Sequence, residues 1–260
     1  MTDADVVEQA AALLREAHAN RTPIEPLTAR YGDVLDVASA WRIQTHNRDL
    51  ALAEGRFVVG YKVGLTSDAM QRQMGVDEPD FGALLDDMTV PDGGTLRLSD
   101  FVQPRAEAEI ALTLTRDLGA GTTAADVIAA IDQAYPSLEI IDSRIRDWRL
   151  SLIDTVADNA SSGAYVLGPP MRLDGADLAD LEVRIRLNGA EAAAGRGSAA
   201  LGHPANAAAW LANRLAGFGL ALTAGSVVLT GSLHASLPLA GGDRVEADFG
   251  AFGTVSIDIG

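Results

Sequence analysis

Two glutamates one residue apart, Glu107 and Glu109, lie in Pro104-Arg105-Ala106-Glu107-Ala108-Glu109-Ile110-Ala111-Leu112, and a third, Glu139, stands in the apolar run Leu138-Glu139-Ile140-Ile141. Side chains alternate along an extended strand, so Glu107 and Glu109 point to one face while Ala106, Ala108, Ile110 and Leu112 read as core on the other. A bare carboxylate inside an apolar run is costly to bury unless a cation or several donors lie beside it. Three carboxylates converging on one point, in a chain with no cysteine and four histidines, suit a hard divalent ion bound by oxygen, Mg²⁺ or Mn²⁺ before Zn²⁺. The competing reading is a solvated strand edge plus one salt-bridged glutamate, and spacing alone leaves both open.

Lys62 is the second candidate, in the strand-like segment Val59-Gly60-Tyr61-Lys62-Val63-Gly64-Leu65. Strand lysines are commonly surface residues with snorkelling stems. Glycines at 60 and 64, however, permit close approach of a ligand, and a desolvated lysine beside a metal can move protons. Val76-Asp77-Glu78-Pro79-Asp80-Phe81-Gly82 reads as a loop from its Pro and Gly. Asp80 is there either a proton-transfer group or the start of a turn, the turn being the plainer reading. Val156-Ala157-Asp158-Asn159-Ala160-Ser161-Ser162-Gly163 offers hydroxyls and amides to a carboxylate, or forms an ordinary Asx turn. His203 and His234 lack metal-ligand spacing with the glutamates and read as structural or rim residues.

These candidates must be carried by a scaffold, and 260 residues with 48% hydrophobic content can bury a substantial core. Amphipathic helices are expected over residues 4–19 and 33–54, the second stopped by Gly55, and shorter ones over 67–74 (ended by Gly75), 123–135 and 204–215. Thr123-x-x-Asp126 resembles a capping box, and Pro204 suits a first helical turn. Strands are expected at 57–64 and near 95–98, 105–116, 138–142, 163–167, 182–188, 226–231, 243–249 and 252–259, with turns at Gly241-Gly242-Asp243 and Gly250-Ala251. The expected class is α+β: an N-terminal helical region, residues 1–55, followed by a β-rich catalytic domain, residues 56–260. The net charge of −16 argues against nucleic acid and anionic membrane as partners. With no apolar run of membrane-spanning length and no basic-then-apolar leader, a cytoplasmic protein is expected.

In order along the chain, Gly60-Tyr61-Lys62-Val63-Gly64-Leu65-Thr66-Ser67, Gly75–Gly82, Pro104–Glu109, Glu139-Ile140-Ile141-Asp142-Ser143-Arg144-Ile145, Val156–Ser161 and Leu201-Gly202-His203-Pro204 resemble the 2-hydroxypentadienoate (2-keto-4-pentenoate) hydratase and 4-oxalocrotonate decarboxylase family of the fumarylacetoacetase superfamily. The resemblance runs from about Arg42 to the C-terminus. It implies a mixed β-roll of the fumarylacetoacetase C-terminal type behind the helical region, and a lyase of meta-cleavage aromatic degradation using Mg²⁺ or Mn²⁺. It matches Glu107, Glu109 and Glu139 to metal ligands, Lys62 and Asp80 to acid/base groups, and Ser161 and Leu65 to the substrate-binding site. It also implies a small anionic 2-hydroxy dienoate substrate and a homo-oligomer, with association to a downstream aldolase or sister decarboxylase.

Hydration is favoured over decarboxylation by Glu78-Pro79-Asp80-Phe81-Gly82, Thr230-Gly231-Ser232-Leu233 and Arg146-Asp147-Trp148. A decarboxylase would have to hold a second carboxylate. An acylpyruvate C–C hydrolase ranks below both for want of a His-Glu dyad, and a catalytically silent partner subunit is the non-enzyme alternative. The chain departs from the family at His234-Ala235-Ser236, where relatives usually have Thr. An imidazole lining the pocket there would alter which C5 substituent is accepted.

Overall fold

The computed structural model describes residues 3–67, 71–72, 76 and 78–260. The short helix expected over 67–74, its Gly75 stop and Asp77 fall largely or wholly outside them. Helices α1 (Asp3–Asn20), α2 (Leu27–Tyr31) and α3 (Val37–Ala53) open the chain. The apolar stripe of α1, Val6, Val7, Ala10, Leu14 and Ala17, is buried, and α1 packs on α3. Asp36 caps α3 by accepting from the Ser39 N–H at 2.7 Å, which satisfies one of the free amide donors of the first turn. Trp41 of α3 stacks on Phe81 with ring centroids 4.4 Å apart.

Thirteen strands follow among the described residues: β1 (Val58–Gly64), β2 (Asp80–Leu85), β3 (Thr89–Val90), β4 (Thr95–Leu96), β5 (Pro104–Leu114), β6 (Ile131–Asp142), β7 (Ser162–Leu167), β8 (Glu182–Leu187), β9 (Ala190–Arg196), β10 (Val227–Leu229), β11 (Leu237–Pro238), β12 (Arg244–Asp248) and β13 (Thr254–Ile259). Helices α4 (Ala124–Ile128), α5 (Leu152–Ala157) and α6 (Pro204–Gly217) interrupt them. One mixed sheet runs β2-β1-β10-β5-β6-β7-β3, with β11 added at the far end of β5. A second runs β4-β13-β12-β8-β9. The fold is α+β with the N-terminal helical region first, as expected, and no helix of the described residues is long and apolar enough to cross a membrane.

Several elements differ from the sequence expectation. The Thr123 capping box is present, but the helix it starts ends at Ile128 and residues 131–135 already belong to β6. Pro136 disfavours helical backbone at the residue before it, and Leu112↔Ala134 and Ala111↔Tyr135 pairing supplies the alternative partners. Asp80 is the first residue of β2, not a turn, and it pairs with Gly64. Strand β9 is poor in β-branched residues, and its pairing with β8 overrides that weak propensity.

Four buried polar residues tie the helices to one another and to the sheet. Gln44 of α3 donates to Phe81 O at 2.9 Å and Val156 O at 3.0 Å. Fully buried Asp154 accepts from Thr28 through Oγ1 at 2.8 Å and N–H at 3.2 Å, and from Ser151 Oγ at 2.6 Å. Arg144 and Asp158 form a buried ion pair at 2.5 Å. Truncating Asp154 leaves buried donors on two segments without an acceptor. Asp154→Ala is therefore expected to lower unfolding stability by at least about 2 kcal/mol, read as a lower urea midpoint at unchanged slope.

Candidate metal centre and active site

The β-ladder register brings the sequence candidates onto one face. Glu107 lies directly opposite Glu139, and Glu109 follows one pleat along β5. Lys62 aligns with Leu229, which aligns with Ala111 of β5, so its side chain shares the glutamates' face. Gly64 aligns with Asp80 and places that carboxylate on the same face again. The opposite face carries Ala106, Ala108, Ile110, Leu138 and Ile140, all buried in the main core. Carboxylate oxygens of Glu107, Glu109 and Glu139 lie within 4.8 Å of one another.

Like charges directly opposite on a ladder are destabilising, and here Glu107 is half-buried and Glu139 has no solvent to relieve it. Glu109 and Glu139 are wholly buried and Lys62, the chain's single lysine, is 4% exposed. Burial, opposed by Lys62 and reinforced by Glu139, pushes Glu107 up to about 7. Burial and the two neighbouring glutamates raise Glu109 well above the carboxylate range. Burial likewise raises Glu139 and Asp80 against the pull of Lys62. For Lys62 itself burial opposes the charge, but Glu139, Asp80, Glu107 and Glu109 more than reverse it, and the amine binds its proton more tightly than an ordinary lysine.

The donor inventory does not satisfy these carboxylates. Lys62 Nζ sits 3.4 Å from Glu139 Oε2 and spends a hydrogen bond on Ala160 O at 2.9 Å. Gly231 N–H donates to Glu109 Oε2 at 2.8 Å. Glu109 Oε1 and both Glu139 oxygens are buried without a hydrogen-bond partner. An all-oxygen, net-negative, dry cluster of this kind has the chemistry of a hard divalent-cation site.

Around it the backbone is unusually constrained. Asn159, Ala160 and Ser161 all have positive φ, 56°, 50° and 55°, a conformation that costs non-glycine residues about 1–2 kcal/mol each. The Asn159 side chain holds this turn to β2, accepting from Ala83 N–H at 2.8 Å and donating to Ala83 O at 3.0 Å. The turn presents Ala160 O to Lys62 and leaves buried Ser161 Oγ without a partner. A Cβ on Gly64 would stand 2.2 Å from Asp80 Oδ1 and 3.4 Å from Lys62 Nζ, so the two candidate proton-transfer groups meet over a glycine. Leu65 follows immediately, also at positive φ, 55°.

Lys62, Asp80, Glu107, Glu109 and Glu139 are thus brought together, with Ser161 on the adjoining turn and Leu65 at the end of β1. Sequence reading missed Thr155, whose Oγ1 donates to Asp80 Oδ2 at 3.0 Å; nothing in its local pattern marks it. It also missed Gly231 as the donor to Glu109, although φ +108° is a conformation that calls for glycine. His234 acts on backbone: its Nε2 accepts from Ala108 N–H at 2.8 Å, between the two β5 glutamates, and Nδ1 pairs with Ala235 O at 2.7 Å. Both ring nitrogens are engaged in holding this segment to β5. His203 is structural, its Nδ1 capping α6 by accepting from Ala205 N–H.

With this geometry in view, comparison with known proteins is specific. Residues 61–259 match the fumarylacetoacetate (FAA) hydrolase C-terminal family. The chain is 46% identical over 251 residues to 2-keto-4-pentenoate hydratase 1 of Dechloromonas aromatica (strain RCB), covering 96% of this chain and 95% of that protein. It is 43% identical over 264 residues to 2-hydroxyhexa-2,4-dienoate hydratase of Comamonas testosteroni, covering 99% and 98%. Among solved structures it resembles 4-oxalocrotonate decarboxylase from Pseudomonas putida G7, complexed with magnesium and adipate, with a TM-score of 0.95, 37% identity and 100% and 98% coverage. The chain belongs to the FAA hydrolase C-terminal family, in the branch that holds the 2-keto-4-pentenoate hydratases and 4-oxalocrotonate decarboxylase.

Proposed function

We propose that this protein is a metal-dependent hydratase, a hydro-lyase converting a 2-hydroxy-2,4-dienoate into a 4-hydroxy-2-oxo acid. The observation that carries the metal dependence is the set of buried carboxylate oxygens on Glu109 and Glu139 with no donor. Glu107, Glu109 and Glu139 would hold Mg²⁺ or Mn²⁺. Bound there, the ion supplies Lewis acidity to the carboxylate and 2-oxygen of the substrate and stabilises negative charge developing on them.

The remaining work is proton movement. The 2-hydroxyl loses a proton, C5 gains one, the oxygen of water joins C4 and a hydrogen joins C3, so that one water is added in all. These steps need a donor and an acceptor on one side of the substrate. Lys62 and Asp80 meet over Gly64, with Lys62 held protonated and Asp80 held back from easy ionisation by burial. Thr155 orients Asp80. Ser161 Oγ, buried and free of protein partners, is suited to hydrogen-bond the substrate carboxylate, and Leu65 to pack beside it. Decarboxylation is the second reading, favoured by the full-length likeness to 4-oxalocrotonate decarboxylase. The higher identity to the hydratases over the same length supports hydration.

Freshly generated 2-hydroxypenta-2,4-dienoate is expected to disappear with formation of a water adduct, identified by mass, in a reaction abolished by EDTA and restored by Mg²⁺ or Mn²⁺. Carbon dioxide from 2-oxohex-3-enedioate without any such adduct would replace this reading by the decarboxylase. Glu139→Gln should reduce turnover to the EDTA-treated level. Lys62→Met should lower kcat by roughly 10²–10⁴-fold while leaving metal affinity measurable.

Metal removal also sets a pH dependence of stability. Glu107, Glu109 and Glu139 are all raised in the fold, so the metal-free native state binds more protons than the unfolded chain between the ordinary glutamate value and about 7. Stability is then present at low pH and lost as pH rises through that window. EDTA-treated protein should lose on the order of 2 kcal/mol between pH 5 and 7.5, with Mg²⁺ recovering the loss at the upper end, measured by denaturant titration. A flat profile without metal would mean that the three carboxylates are not a shared dry cluster.

A further inference from the structure

A second chemical environment lies on the other face of the main sheet. Ala83 and Ala164 pair with Tyr61 and Ile140 and therefore point away from Lys62 and Glu139. They help line a cavity of about 800 Å³ between α1, α3 and strands β2, β3, β4 and β7, which includes none of the three glutamates. Leu14, Ala51, Leu85, Met88 and Phe101 contribute apolar wall. Its size and mixed lining suit a small organic ligand.

Its charge is opposite to that of the molecule. Six arginines, Arg15, Arg21, Arg48, Arg56, Arg97 and Arg144, line it against four carboxylates, in a chain of net charge −16. Four of these arginines are already paired: Arg144 with Asp158, Arg56 with Asp87, Arg97 with Asp100 and Arg48 with Asp49. Arg15 bonds only the amide oxygen of Asn47. Arg21, just beyond α1, lines the cavity and is partly exposed, and its side chain makes no hydrogen bond or ion pair among the described residues. His18 lies on the same wall, and burial followed by the charges of Arg144, Arg21 and Arg56 pushes it down to about 4. At neutral pH it adds no positive charge of its own.

An uncompensated guanidinium on the wall of a half-apolar cavity calls for an anion with an apolar body. A planar carboxylate matches the arginine fork better than a spherical ion does. We propose that this cavity is a binding site for a small amphipathic carboxylate, separate from the acidic centre, with its carboxylate on Arg21 and its apolar body against Leu85, Met88 and Phe101.

The test is calorimetric titration of the full-length, EDTA-treated chain with benzoate and naphthalene-2-carboxylate, with naphthalene-2-carboxamide as the uncharged isostere. Both acids should bind and the amide should not. Arg21→Gln should weaken binding by roughly tenfold to a hundredfold. Leu50→Glu, which places a carboxylate at a partly exposed lining position of α3, should weaken it independently of any effect of Arg21 on folding. Glu139→Gln should leave it unchanged. Absence of binding, equal binding of the amide, unchanged affinity in both cavity variants, or loss of affinity in Glu139→Gln would each overturn the proposal. A change of oligomeric mass in Arg21→Gln would overturn it too, by giving this face to a second copy of the chain.

Discussion

Glu107 facing Glu139 across the β5–β6 ladder, with Glu109 one pleat away, is the arrangement on which the rest of this structure depends. Three neighbouring carboxylates, two of them wholly buried, repel one another and lose hydration, and one ammonium does not offset that. In the metal-free fold, burial and mutual repulsion relieve this by raising the affinity of the glutamates for protons; a bound cation would relieve the same charge. Lys62 is the only lysine of the chain. The other cationic side chains are arginines, whose protons are held too tightly to be exchanged near neutral pH. The carboxylates around Lys62 hold its ammonium charged.

Close approach explains much of the local backbone. Gly64 gives up its Cβ so that Asp80 and Lys62 can meet. Gly82 does the same for the turn at 159–161, because a Cβ there would fall 2.3 Å from Asn159 O. That turn carries three consecutive residues in the left-handed region, a costly conformation sustained by the paired Asn159–Ala83 hydrogen bonds. Strain of this sort persists where the surroundings over-determine it, and functional sites are where it collects. Here it fixes the carbonyl that orients Lys62 and the hydroxyl of Ser161. On the other side, the Thr230–His234 segment is held to β5 by Thr230 Oγ1 on Ile110 O, Gly231 N–H on Glu109 and the His234 ring on Ala108 N–H.

The two faces of the main sheet separate two kinds of electrostatics. Odd-numbered positions of β5 gather acid around Lys62, while the opposite face, where the N-terminal helices lie, collects arginine in a molecule that is acidic as a whole. Strand alternation keeps these fields apart by the thickness of one sheet. A single chain then presents an acidic cluster on one face and an arginine-lined cavity on the other.

Much of the site was legible before the fold was known, because its signals are local. The E-x-E spacing in a strand, a glutamate inside Leu-Ile-Ile and a lysine between glycines each carry a cost that demands a partner, and that cost is a property of residue type and period. The long amphipathic helices and the capping box at Thr123 were legible for the same reason. What the sequence could not decide was set by pairing between distant segments. Residues 131–135 are strand because β5 offers them a ladder, and Asp80 begins a strand because β1 lies alongside it. Thr155 matters only through a contact seventy-five positions away from its own, and the His234 ring is engaged by an amide of β5 rather than open to the pocket. Chemistry-bearing residue types were therefore written in the sequence, but their convergence was decided by strand register, since one residue of slip would turn every carboxylate to the opposite face.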